Sequence, residues 1–146
     1  MNTAQPKSFH HVGLSVPDLD AALDFYVGTL GFDLLNRAQW SGSPEIDMAI
    51  GADGSAGEFA MISLNGICIE VFEFETPAAT TPSEPRVVGH GWTHICVKVA
   101  DARATAAFLR KSGVHLHADP VDIGDGPFAY VRDPFGNIIE IWQDET

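Results

Sequence analysis

Hydrophobic and polar positions change period along this chain, and they do so twice in the same order. In "HVGLSV", Val12, Leu14 and Val16 fall on one face and His11, Gly13 and Ser15 on the other, which predicts a strand with one covered side. Pro17 and Asp18 break the alternation, and Asp18 is placed to cap a helix. Leu19, Ala22, Leu23, Tyr26, Val27 and Leu30 then recur at helical spacing until Gly31, a favourable stop. The segment beginning "THICVKVADARATAAFLRKSGVHLHA" repeats the plan. Ile95, Val97 and Val99 share a strand face, Asp101 offers the cap, and Ala102, Ala106 and Leu109 form a stripe that ends before Gly113.

Each copy continues with strand-like runs. The first has "FDLLNR", a polar loop, then "EFAMISL" and "GICIEVFEF" joined by Asn65-Gly66, a strong hairpin signal. The second has "VHLHA", a polar loop "PVDIGDGP", then "FAYVRD" and "NIIEIWQ" around Asp133 to Gly136. The pattern predicts an α+β chain of two tandem βαβββ modules, over residues 8–75 and 92–144. Residues 76–91, rich in Pro, Thr and Ala, read as a linker.

The same parity selects candidate chemistry. With the aliphatic side taken as the covered one, His11 shares the opposite face with Gly13 and Ser15, whereas its neighbour His10 has the aliphatic parity. Glu70 shares its face with Cys68, Phe72 and Phe74; His94 lies with Cys96 and Lys98; Glu140 lies with Ile138 and Trp142. An ionised carboxylate among apolar neighbours needs a cation, donors or solvent. Each module thus offers one His and one Glu on its open face. Two imidazoles and two carboxylates suit a divalent Zn, Ni, Co, Mn or Fe ion; the alternative is two ordinary His–Glu ion pairs.

Composition narrows the classes. The 146 residues allow a sizeable core, and the net charge of −12, from 20 acidic and 8 basic residues, opposes nucleic-acid binding. No apolar run has the length of a membrane span, and "MNTAQPKS" lacks the features of a signal peptide. Cys68 and Cys96 lie in apolar strands, which predicts free thiols and a cytoplasmic setting.

The motifs "HHVGLSVPDLDAALDFYVGTLGF", "IEVFEF", "GWTHICVKVAD" and "VRDPFGNIIEIWQ" resemble the vicinal oxygen chelate superfamily, from about Phe9 to Gln143. This superfamily includes glyoxalase I, methylmalonyl-CoA epimerase, extradiol dioxygenases and fosfomycin- and bleomycin-resistance proteins. The resemblance implies a cupped, barrel-like mixed sheet with outer helices, one divalent metal per site held by His11, Glu70, His94 and Glu140, and a homodimer. It implies a lyase or isomerase/epimerase acting on a small molecule with vicinal oxygens, because a chelated carbonyl favours loss of the neighbouring proton as an enolate-type intermediate forms. Glu140 or Glu70 is then the base. Glu45, in "SGSPEIDM", roughly matches a catalytic carboxylate of the epimerase branch. Phe72, Tyr130, Arg132 and Trp142 are expected to line the substrate pocket, and Arg37, Arg86 and Lys98 are cations that a glutathione-type substrate would use. An Fe(II) extradiol-type dioxygenase, with two His and one carboxylate, is the alternative enzyme. A non-catalytic toxin- or antibiotic-binding protein is the third reading.

Overall fold

Asp18 and Asp101 begin the two principal helices, and both do so by the same bond. The Asp18 carboxylate accepts from the Ala21 amide at 2.9 Å and Asp101 accepts from Ala104 at 2.9 Å. These bonds satisfy amides that a helix start leaves without partners. The computed structural model describes residues 6–80 and 87–143. The chain divides into two compact units, one ending at Thr80 and the other beginning at Thr81.

The first module runs β1 (His11–Ser15), α1 (Leu19–Leu23), a π-wound continuation (Asp24–Thr29), β2 (Asp33–Ser41), α2 (Pro44–Ile50), β3 (Ala56–Leu64) and β4 (Ile67–Thr76). Its sheet order is β1-β4-β3-β2, with β1 parallel to β4 and the other pairs antiparallel. The second module contains β5 (Ile95–Lys98), α3 (Ala102–Lys111), β6 (Val121–Asp122), β7 (Pro127–Arg132) and β8 (Ile138–Trp142), ordered β5-β8-β7-β6. Again the first strand is parallel to the last and the remainder is antiparallel. Two four-stranded mixed sheets of βαβββ plan are thus present, each an open sheet with edge strands.

The covered faces follow the aliphatic parity. In the first module Leu19, Ala22, Phe25 and Tyr26 pack with Ala60, Ile62, Ile69 and Val71; all are buried. In the second, Ala102, Ala106 and Leu109 are buried, as are Ala129, Val131, Ile139 and Ile141 on the strands that α3 packs against. Each large aliphatic side chain removed from water contributes about 1.5–3 kcal/mol before the entropy cost. A further bond ties helix to sheet in both copies: Glu73, three residues after Glu70, accepts from the Leu19 amide at 2.7 Å, and Gln143, three residues after Glu140, accepts from Ala102 at 2.9 Å.

Three elements differ from the sequence expectation. The first helix tightens its buried face with Phe25 rather than Val27, because the π winding, with Leu30 N–H donating to the Phe25 carbonyl, rotates the later residues. "VHLHA" forms no named strand: Leu116 makes a single bridge to Val131, flanked by His117 N–H to the Tyr130 carbonyl and Arg132 N–H to the His115 carbonyl. The pairing strand is instead β6, inside the expected loop. The polar loop around "SGSPEIDM" contains α2, with Ser43 accepting from Ile46, Pro44 in the first turn, and Gly51 closing the helix at φ 71°. The expected hairpin is formed by Asn65 and Gly66, both at positive φ, the backbone of a type I′ turn. Of the expected linker, β4 takes in Thr76, and residues 81–86 lie outside the described residues, as does residue 144 of the second expected module.

Candidate metal centre

Parallel pairing of β1 with β4 places Gly13 opposite Glu70 and His11 two residues before it. The consequence is a direct contact: His11 Nε2 lies 3.1 Å from Glu70 Oε2. The second module reproduces it. His94, just before β5, places Nε2 3.1 Å from Glu140 Oε2, across a register that pairs Cys96 with Glu140. All four side chains retain some exposure, so the pairs face open space rather than the covered core.

In both rings the second nitrogen is occupied. His11 Nδ1 shares a 2.7 Å hydrogen bond with His10 Nδ1, and His94 Nδ1 shares one of 2.8 Å with Thr93 Oγ1. Such contacts fix the ring orientation and leave Nε2 aimed at the carboxylate. A divalent ion binding N and O donors at about 2.1 Å, with adjacent donors at right angles, requires those donors to be about 3.0 Å apart. The observed spacing fits that requirement in each module. Among the described residues, no group of three or more His, Cys, Asp or Glu side chains is arranged to hold a metal ion.

The surroundings differ. Beside Glu70, the first module has a concavity of ≈520 Å³ walled by Trp40, Phe59, Phe72 and Phe74 from the sheet and by Ile46 and Ile50 from α2. Beside Glu140, the second has one of ≈440 Å³ lined by Tyr130, Phe128, Trp142, Cys96 and Asp125 among others. Tyr130 is the cross-strand partner of Glu140, and its ring meets the His94 ring edge to face at 5.2 Å. Burial, the Glu140 charge and Cys96 raise the Tyr130 phenol, which stays protonated as a donor. Burial and Glu140 together push the Cys96 thiol up to about 11, so it is a thiol rather than a thiolate at neutral pH.

Phe72 and Trp142 occupy equivalent positions two residues beyond Glu70 and Glu140. The Arg132 guanidinium donates to the Gly136 carbonyl in the turn between β7 and β8 and is absent from the lining of the second concavity. Glu45 sits in the exposed first turn of α2, accepts from the Ser43 hydroxyl at 3.2 Å, and does not line the first concavity. Arg37 is held by Glu58 at 2.7 Å and Asp20 at 2.6 Å, Lys98 lies over the Trp142 ring at 5.5 Å, and Arg86 is outside the described residues.

Trp40, Phe59, Ile46 and Ile50 are missing from the sequence-based pocket. Strand parity was able to find Phe59, which alternates with buried Ala60 and Ile62. Nothing in the local pattern aims the Trp40 ring: its Nε1 donates to Ser55 at 3.0 Å, and the close approach of Gly57 decides where the ring lies.

A model of the Glyoxalase/Bleomycin resistance protein/Dioxygenase superfamily matches residues 8–141. The chain belongs to this superfamily. It is 33% identical over 141 residues to a 2-epi-5-epi-valiolone epimerase from Actinomyces sp., covering 90% of this chain and 76% of that protein. It is 30% identical over 138 residues to a probable lactoylglutathione lyase from Synechocystis sp., covering 93% and 95%. Among solved structures, a glyoxalase family protein from Bacillus cereus superposes with a TM-score of 0.89 at 23% identity, over 99% of this chain and 98% of that one, a likeness of fold. No helix among the described residues is long and apolar enough to cross a membrane.

Proposed function

We propose that this protein is a divalent-metal-dependent lyase or isomerase/epimerase in which His11 and Glu70 supply one half of the ligand set and His94 and Glu140 the other. The halves come from one chain or from two chains of a homodimer. The observation that carries the reading is the repetition of a His–Glu contact at 3.1 Å, at equivalent positions of the two modules, with each imidazole oriented through its other nitrogen. Two halves of one donor set would share that detail, and each pair already has the donor spacing that a divalent ion requires. Relatives named as an epimerase and as lactoylglutathione lyases support the same reaction type.

A divalent ion held by these residues, Ni, Zn, Co, Mn or Fe, would supply Lewis acidity to a substrate carbonyl. The chain does the rest. Glu70 or Glu140 takes the proton from the carbon next to a substrate carbonyl and returns it, with Glu45 on α2 as a third candidate base. Tyr130, protonated and facing Glu140, donates a hydrogen bond to a substrate oxygen, and Phe72 beside Glu70 and Trp142 beside Glu140 exclude water.

Elemental analysis of protein purified without chelator tests this directly. Near-stoichiometric metal is expected in the wild type and its loss in His94→Ala and Glu140→Ala, with far-ultraviolet circular dichroism unchanged. Wild-type protein that neither carries nor takes up metal would leave both contacts as ion pairs and refute the reading. With metal established, exchange of the substrate C–H proton in D2O, followed by NMR, assigns proton transfer; oxygen uptake with a catechol would assign the dioxygenase instead.

A further inference from the structure

We infer that the substrate joins its pair of adjacent oxygens to an uncharged aromatic or bulky apolar body, which sits in the concavity of the first module; the inference rests on the metal-centre reading above. Among the described residues, Glu70 is the only charged side chain in the lining. From there the floor runs to aromatic rings. Phe72 and Phe74 stack at 5.7 Å, and the Trp40 ring stands nearly perpendicular to both, at 6.1 and 5.2 Å. The one polar atom of that indole is spent on Ser55, so the face offered to a ligand is apolar. Opposite, α2 contributes Ile46 and Ile50 and buries none of its own residues in the core.

The dimensions match such a molecule. Gly13, paired with Glu70, leaves the floor beside the carboxylate without a side chain. Phe72 lies two strand residues beyond Glu70, about 6.5 Å along β4. A ring attached next to the oxygens spans that step, and ≈520 Å³ lies within the range of about 300–1,000 Å³ that encloses small organic ligands.

Among the described residues, the lining of the first concavity suits an apolar body better than a charged or polyhydroxylated one. A glutathione conjugate carries carboxylates that require cations, yet Arg37 is committed to Glu58 and Asp20, and both Arg37 and Glu58 have the strand parity opposite to Trp40 and Phe59. A polyhydroxylated ring would leave its hydroxyls unpaired against four aromatic side chains, at about 1–3 kcal/mol for each one buried.

Calorimetric titration of metal-reloaded protein with two hydroxamates tests the inference, since both present adjacent oxygens and differ only in the body attached. Benzohydroxamic acid is expected to bind at least about tenfold tighter than acetohydroxamic acid, through burial of the ring. That gap should close in Ile50→Asp, where a charge enters a wall that is half exposed, while acetohydroxamic acid binds as before. Indole, which has no paired oxygens, separates the two readings. Binding of indole to metal-free protein that weakens about tenfold in Ile50→Asp supports the apolar site even where no metal is taken up. Equal affinity for the two hydroxamates in protein that does bind metal, or tighter binding of S-methylglutathione than of benzohydroxamic acid, would overturn the inference and leave the metal centre standing.

Discussion

Gly57 controls the aromatic wall, and replacing it with alanine exposes the physics involved. Gly57 lies in β3 opposite Trp40 of β2, beside a register shift in the pairing with β4. A Cβ at this position would overlap the Glu73 carbonyl oxygen and stand 2.7 Å from Trp40 Cη2 and 3.1 Å from Phe74 Cα. Two of the three obstacles are backbone, so a side-chain rotation cannot relieve them. Overpacking of this kind costs about 1–3 kcal/mol. With an m-value of about 1–3 kcal/mol/M, the urea midpoint should fall by about 1 M. The Trp40 ring must also move, so indole affinity should drop along with stability. The assay is urea denaturation followed by tryptophan emission, with Trp40→Ala and the double variant completing a cycle. Truncating Trp40 removes the ring contact and leaves the carbonyl overlap, so the double variant should regain only part of the loss. A Gly57→Ala protein with the wild-type midpoint would refute the argument that this glycine is required by close packing.

Two further outcomes rest on the capping geometry. The Asp47 carboxylate, held below its ordinary value first by the Ser55 hydroxyl and then by the Ser55 and Gly54 amides, ties the first turn of α2 to the two residues before β3. Because its folded pKa is depressed, its contribution is present above the unfolded value of about 4 and is lost as pH falls through the folded one. Midpoints measured from pH 7 down to pH 3 should therefore decline less steeply in Asp47→Asn, and limited proteolysis should cut that variant near α2; identical pH profiles would reject the tie. Asp101→Ala removes the bond to the Ala104 amide and should destabilise the second module by about 1 kcal/mol in urea, with Asp101→Asn recovering most of it.

The sequence by itself determined the two modules and the four polar residues on their open faces. Both depend on local rules, since a strand alternates its side chains and a helix needs a cap. Val12, Leu14 and Val16 on one side of β1 leave His11 on the other whatever surrounds them. Reading the sequence by hydrophobic period missed α2, taking the run between Ser41 and Asp53 as a loop, although Ser43, Pro44 and Gly51 are local marks of both helix ends. What only the tertiary structure decided was contact between residues remote in the chain. The 3.1 Å approach of His11 to Glu70 comes from the parallel register of β1 on β4, and Arg37 is engaged by Glu58 on the neighbouring strand and by Asp20 on the helix. The apolar wall around Trp40 depends on a glycine opposite it and a serine fifteen residues away. Periodicity specifies the face that a side chain occupies; only the folded register specifies its neighbour, and the chemistry of this site lies in the neighbours.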